Sequence, residues 1–159
     1  MLINRYRNAF FKEQNTPLLA SARAGNVIGG GDWSEDRLIP DLVRSVNQHK
    51  PLVIRSLHST RPWQHVLECL AGYLLLGQNL LEGHQEYAEA WNFGPAQEDN
   101  RTVEEVLTLL QVHWPELKWE QTQTLQPNES KLLYLDHAKA KTKLDWQPVW
   151  SLEHALQAT

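Results

Sequence analysis

The sequence predicts an α/β fold, on three observations. Short apolar runs suited to buried strands alternate with longer runs at helical spacing, helix caps and breakers fall between them, and no repeat, linker or low-complexity stretch interrupts the order. Hydrophobic residues make up 42% of the 159 residues and charged residues 21%, which suits one packed domain or a piece of one.

The elements follow in order. Leu2, Ile3, Tyr6 and Phe10 share one face at helical spacing, so residues 2–13 read as the end of a helix that Thr16-Pro17 breaks. The run Leu18-Leu19-Ala20-Ser21-Ala22 reads as a buried strand, and with the helix it forms the tail of a β-α-β crossover. After the loop Gly29-Gly30-Gly31-Asp32-Trp33 and Leu38-Ile39-Pro40, an amphipathic helix uses Leu42, Val43 and Val46. Leu52-Val53-Ile54 is a second strand. From Val66 to Leu81, Leu67, Leu70, Leu74 and Leu81 hold one face of a long helix, with Gly77 continuing it, and this face is expected to be buried.

After a polar break at 83–89, Ala90-Trp91-Asn92-Phe93 reads as a strand ended by Gly94-Pro95. Thr102 with Glu105 three residues on is a capping box, opening a helix that buries Val103, Val106, Leu107, Leu110 and Trp114 before Pro115 stops it. Lys118-Trp119-Glu120 and Leu133-Tyr134-Leu135 are short strand candidates. Asp136 is the expected cap of a helix over 136–144, and Ser151 of a last helix carrying Leu152, Ala155 and Leu156. The sequence opens and closes within helical patterns, which suggests a fragment.

Composition excludes several function classes. Lys+Arg 15 against Asp+Glu 19 gives a net charge of −4, which disfavours a basic nucleic-acid binder. One cysteine, Cys69, closes no internal disulfide and fits a reducing compartment. The seven histidines show neither HExxH nor an i, i+4 pair, so no metal site is expected. No apolar run approaches the roughly 20 residues of a membrane helix, and Leu2 to Arg7 do not form a secretory signal; a cytoplasmic, non-membrane protein is expected.

Three groups of residues could carry chemistry. In Arg23-Ala24-Gly25-Asn26-Val27-Ile28-Gly29-Gly30-Gly31-Asp32-Trp33 a strand runs into glycines, where ligands of open α/β sheets bind; the competing reading is a surface turn. Arg55 and Arg61-Pro62-Trp63-Gln64-His65 are placed at the start of the long helix, where an arginine fork and a helix dipole suit a diphosphate and Trp63 could pack on a base or sugar. The competing reading is an ion pair and a core tryptophan. His65, Glu68 and Cys69 read as packing residues. In Asp36-Arg37-Leu38-Ile39-Pro40, Arg37 could reach a phosphate and the Leu38 backbone a base. Of the seven tryptophans, Trp33 and Trp63 lie beside these loops, while Trp91, Trp114, Trp119 and Trp146 read as packing.

The strings Ala24-Gly25-Asn26-Val27-Ile28-Gly29-Gly30-Gly31-Asp32-Trp33, Asp36-Arg37-Leu38-Ile39-Pro40, Arg61-Pro62-Trp63-Gln64-His65-Val66-Leu67-Glu68, Ala90-Trp91-Asn92-Phe93-Gly94-Pro95 and Leu144-Asp145-Trp146-Gln147-Pro148 resemble, in order and spacing, the CDP-glucose 4,6-dehydratase family of extended short-chain dehydrogenase/reductases. The resemblance spans essentially the whole chain but the C-terminal half of such an enzyme, implying the end of a Rossmann sheet plus the smaller substrate-binding domain. The family's NAD-binding glycine fingerprint and Tyr-x-x-x-Lys pair are not matched; Tyr6 is followed four residues on by Phe10.

The resemblance therefore implies no catalytic residues here and carries over the substrate side. Asn26 and Arg61 would hold the substrate at its diphosphate, Arg37 and Leu38 would line the nucleotide pocket, and Ala24 and Gly25 would face the nicotinamide of NAD. Trp63 joins the substrate contacts, because Arg61-Pro62-Trp63 replaces the Arg-Asp-aromatic pattern of related epimerases and follows that of the CDP-sugar branch. Asn128-Glu129-Ser130-Lys131 departs from the family pattern and is assigned no contact.

The implied reaction oxidises C4 of CDP-glucose by hydride transfer to NAD, eliminates water across C5–C6 and returns the hydride to C6. The implied partners are CDP-glucose or a related nucleotide sugar and, for the full-length family, copies of itself in a homo-oligomer. Turnover by this chain alone is not expected. A noncatalytic sugar-nucleotide-binding or interaction module, and a related nucleotide-sugar epimerase or dehydratase, are the alternatives.

Overall fold

A computed structural model describes residues 2–11, 16–122 and 133–159; the end of the first expected helix and the segment Asn128-Glu129-Ser130-Lys131 lie outside the described residues. In chain order the elements are α1 (Leu2–Phe10), β1 (Ser21–Ala24), β2 (Asn26–Ile28), α2 (Leu38–Asn47), β3 (Leu52–Ile54), β4 (Thr60–His65) and α3 (Val66–Leu81). They continue with β5 (Ala90–Phe93), β6 (Asn100–Thr102), α4 (Val103–His113), β7 (Trp119–Gln121), α5 (Ala138–Leu144) and α6 (Leu152–Gln157).

Among the described residues the strands form three short sheets. β1 runs parallel to β5, with Ser21 opposite Ala90 and Ala24 opposite Phe93. One residue later the chain changes sheets: β2 pairs in parallel with the second half of β4, whose first half pairs antiparallel with β6. β3 and β7 make the third, parallel pair. Gly25 is the switch between the first two sheets. A Cβ there would stand 2.1 Å from the Pro62 carbonyl oxygen, so the backbones of the two sheets approach as closely as they do only because the side chain is missing.

Local chemistry sets the helix ends. Thr102 accepts from the Glu105 N–H (3.2 Å) while the Glu105 carboxylate accepts from the Thr102 N–H (2.7 Å), so the expected capping box is present. Ser151 accepts from the His154 N–H and opens α6 as expected. Asp136 accepts from the Ala138 N–H (2.8 Å), but the cap position itself falls one residue later, on His137.

The core has three parts, and α4 joins two of them. Val106 packs with Ile28, Trp63, Leu152, Ala155 and Leu156, whereas Leu107, next on the helix, packs with Leu42, Leu52, Ile54, Leu57 and Leu117. The third part surrounds Trp91 and Phe93 of β5 with Leu76, Ala140, Leu144 and Trp146. The buried Gln64 side chain donates to the Phe93 carbonyl oxygen (2.9 Å) and ties β4 to β5.

Several expectations are corrected. The first strand starts at Ser21 rather than Leu18, because its partner β5 enters the ladder only at Ala90. Arg61-Pro62-Trp63 lies on β4, not at a helix start; the helix begins at Val66. Leu133-Tyr134-Leu135 forms no strand: Leu133 donates one backbone bond to Thr60 (3.3 Å) and no ladder follows.

The face of α3 is also inverted. Leu67, Leu70, Leu74 and Leu81 are 55, 43, 75 and 91% exposed, and the buried positions are Glu68, Cys69, Gly72 and Leu76. α3 is apolar almost all round, so periodicity cannot choose its buried side. Close packing does: the Phe93 ring occupies the space a Cβ on Gly72 would fill, 2.3 Å away. Likewise α1 has no buried residue. Leu107→Ala, at 0% exposure, is expected to cost about 2–5 kcal/mol of unfolding free energy. Leu74→Glu is expected to stay within about 0.5 kcal/mol of wild type. Urea midpoints of the two variants check this, and a large loss for Leu74→Glu would place that leucine in a buried contact.

Candidate functional site

The C-terminal ends of β2 and β3 and the first turn of α2 enclose a cavity of about 240 Å³. Among its lining residues are Asn26, Arg37, Leu38, Arg61 and Trp63, so five of the residues singled out above, drawn from β2, β4 and the start of α2, meet in one place. Ala24 and Gly25 do not line it.

α2 opens without a side-chain cap: Arg37 occupies the cap position with extended backbone and makes no capping bond. The Leu38 and Ile39 N–H groups thus begin the helix beside the cavity, and Pro40, third in the helix, brings no N–H of its own. An uncapped N-terminus of a ten-residue helix carries partial positive charge and suits an anion. Arg37, Arg55 and Arg61 line the same cavity and add three guanidinium groups. Arg61 is half-buried and donates to the Thr60 carbonyl oxygen (3.0 Å). Exposed Arg55 pairs with Asp36 at 3.1 Å, a contact of little worth in water and open to exchange for a ligand oxygen.

Carboxylates share the rim. Asp32 accepts from the Ser34 N–H (2.9 Å), and this bond, aided by Arg37 and Arg44, holds its pKa below the usual carboxylate value. Asp41 pairs with Arg44 at 2.7 Å. Asp36 adopts a left-handed φ of +58° and Gly31 one of +83°, so the segment 31–36 is bent at both ends. Arg44 then fastens it, donating to the carbonyl oxygens of Trp33 (2.6 Å) and Ser34 (3.0 Å). The sequence reading did not pick out this clamp; the Asp41/Arg44 spacing of three on an amphipathic helix is the signal that could have shown it.

Trp63 is 4% exposed, and its indole N–H donates to the Arg101 carbonyl oxygen (3.0 Å). It forms a wall of the cavity with its ring committed to the core, and the open stacking face suggested for it is absent. Trp33, by contrast, is 63% exposed. His65 is a structural residue, as expected. Its Nδ1 accepts from the Leu67 N–H and so caps α3, and its ring packs on Trp150, a partner not foreseen. The buried Glu68 carboxylate accepts from the Val149 and Trp150 N–H groups, and Cys69 donates to the Val66 carbonyl oxygen.

Burial pushes the His65 and His137 imidazoles below the usual 6.5, so the folded chain favours their neutral forms. The unfolded chain then binds more protons as pH falls below 6.5, and stability is fully present above that value and lost beneath it. Thermal midpoints are expected to fall between pH 7 and pH 5.5, and His65→Asn, which keeps a capping side chain without a titrating ring, is expected to shallow the slope. An unchanged slope would remove His65 from this account.

For NAD, the group implied by the resemblance, the fit is poor. Pro62 closes the Gly25 side of the β1 end, and the described residues include no G-x-G-x-x-G turn running from a strand directly into a helix, the dinucleotide cradle of such folds. No group of three or more His, Cys, Asp or Glu able to hold a metal occurs among the described residues, and none of their helices is long and apolar enough to cross a membrane.

Comparison with known proteins gives a consistent result. No family model matches the chain. CDP-glucose 4,6-dehydratase of Salmonella typhimurium is 44% identical over 161 aligned positions, which cover 98% of this chain and 45% of that protein. Among solved structures, UDP-glucuronic acid 4-epimerase from Bacillus cereus, in complex with UDP-glucuronic acid and NAD, superposes with a TM-score of 0.79 at 22% identity. It covers 99% of this chain, which spans 47% of the epimerase. dTDP-glucose 4,6-dehydratase from Bacillus anthracis, in complex with NAD, gives 0.72 at 18%, with 99% and 46% covered. The chain thus spans about half the length of the proteins it matches. It is similar over nearly its whole length to CDP-glucose 4,6-dehydratase and has the α/β fold of the corresponding half of the Bacillus cereus epimerase and the Bacillus anthracis dehydratase, each of which is in complex with NAD.

Proposed function

We propose that residues 1–159 are the nucleotide-sugar-binding half of a CDP-glucose 4,6-dehydratase, which converts CDP-glucose to CDP-4-dehydro-6-deoxyglucose and water. The observation that carries the proposal is the convergence of Asn26, Arg37, Leu38 and Arg61 on one cavity at an uncapped helix N-terminus. Arg61 and Arg37 hold the diphosphate, assisted by the Leu38 and Ile39 N–H groups, and the Asn26 amide donates to a phosphate oxygen. No described protein group hydrogen-bonds the Asn26 amide, so it is available to do so. Trp63 contributes shape.

At about 240 Å³ the cavity is smaller than the roughly 300–1,000 Å³ pockets that enclose drug-sized ligands. It holds the diphosphate, with the base at the rim, and the glucose extends past Asn26 toward the end of β1. NAD chemistry belongs to residues outside those described, in the half of the relative that this chain does not match. We place the protein in the cytoplasm, consistent with its lone, reduced cysteine. In the whole enzyme, assembly would be as a homo-oligomer.

Tryptophan fluorescence titration tests the reading. CDP-glucose is expected to give a saturable change and to outcompete dTDP-, UDP- and GDP-glucose. No saturable response to any of the four would overturn it, and preference for another base would reassign the substrate.

A further inference from the structure

Trp33 presents a large apolar ring to water from a backbone that is held in place. Its indole is 63% exposed, whereas Trp63 and Trp91 are 4% and 1% exposed. The loop that carries it is anchored three ways. Gly31 and Asp36 turn the chain with φ of +83° and +58°. The Asp32 carboxylate holds the Ser34 N–H. Arg44, braced by Asp41, donates to the carbonyl oxygens of Trp33 and Ser34.

The position of the loop completes the argument. Asp32 and Asp36, on either side of Trp33, both line the cavity, as does Arg37. Trp33 is not itself a lining residue; its exposed ring stands on the loop between two residues that are, beside the place where part of a ligand would protrude from a diphosphate bound at the α2 N-terminus. Of the parts of a nucleotide sugar, the base is the flat one, and base–indole stacking is among the stronger contacts available to an exposed aromatic.

We infer that Trp33 is the platform on which the nucleobase of the bound nucleotide sugar stacks, and that Arg44 is a positioning residue that holds the loop carrying this platform beside the cavity. The inference rests on the proposed nucleotide-sugar reading. It also makes a separate statement about selectivity: every base has a π-face, so Trp33 supplies affinity without choosing among pyrimidines, and the choice is left to polar groups of the rim.

Isothermal titration of the full chain tests this with two probes, CDP-glucose and inorganic pyrophosphate. Trp33→Ala is expected to weaken CDP-glucose about 10-fold or more and UDP-glucose by a similar factor, leaving pyrophosphate unchanged. Trp33→Phe is expected to recover most of the loss, and Arg44→Met to show the same split between CDP-glucose and pyrophosphate in milder form. If the wild-type chain binds CDP-glucose and Trp33→Ala binds it equally well, the stacking inference falls and the nucleotide-sugar reading stands. Equal losses for CDP-glucose and pyrophosphate would overturn it too, by showing that the loop merely supports the phosphate site. A change in oligomeric mass without a change in affinity would make Trp33 an interface residue. If the wild-type chain binds neither probe, both readings fall.

Discussion

A chain carrying Gly25→Ala is expected to be recovered without the native fold. The added Cβ would stand 2.1 Å from the Pro62 carbonyl oxygen and 3.1 Å from the Pro62 carbonyl carbon and Cβ. Two of these atoms are backbone and the third belongs to a rigid ring, so no side chain can swing aside. The clash falls where the chain steps from the β1–β5 pair into the β2–β4 pair, so relieving it separates the two sheets. Gly77→Ala is the matched control. Nothing lies within 4 Å of a Cβ there and the residue sits inside α3, so alanine is expected to stabilise the chain by about 0.8–1 kcal/mol through helix propensity. Circular dichroism and urea unfolding of the pair check both signs. A Gly25→Ala protein with a wild-type midpoint would mean that the two sheets do not approach as described.

The second large effect is on binding. Arg61→Ala is expected to weaken CDP-glucose by about 30-fold or more, the loss of roughly 2 kcal/mol for a charge-assisted hydrogen-bonding group at a phosphate. Arg61→Lys keeps the charge but not the planar fork and is expected to recover only part of that loss. Arg37→Ala, at an exposed position, is expected to cost less. Titrations at low and high salt provide the check: the wild-type affinity falls as salt rises, and the Arg61→Ala affinity falls less steeply. Equal affinities for wild type and Arg61→Ala would remove the diphosphate from this cavity.

What the sequence makes legible here is what short-range chemistry determines. The Thr102/Glu105 box, the Ser151 cap, the helix span from Val66 to Leu81 and the strand at 90–93 all agree with the structure, because caps, breakers and alternation act within a few residues. Long-range choices were harder to read. The sequence reads Arg61-Pro62-Trp63 as the start of a helix, yet these residues lie on β4, with Pro62 opposite Asn100. The leucine stripe of α3 pointed the wrong way because the ring of Phe93, more than twenty residues downstream, seats itself on Gly72.

The site divides along the same line. Residue types suited to a diphosphate could be named from the sequence, but their meeting depends on long-range pairing, that of β2 with β4 above all, which no local pattern encodes. The resemblance to a known family supplied the grouping of Asn26, Arg37, Leu38 and Arg61, and in the structure these four line one cavity. It also drew in Trp63, which lines the cavity with its ring packed in the core, and gave no role to Trp33, whose exposure is visible only in three dimensions.

The most direct test of the central claim is a residue-resolved one: backbone amide resonances of the isotopically labelled chain, recorded as CDP-glucose is added. The account predicts saturable shifts gathered on Asn26 to Gly29, on Asp32 to Ile39, and on Ile54, Arg55 and Arg61, with the groove between α4 and α6 near His113 and His154 unmoved. Shifts confined to that groove, or no saturable shifts at all, would contradict it.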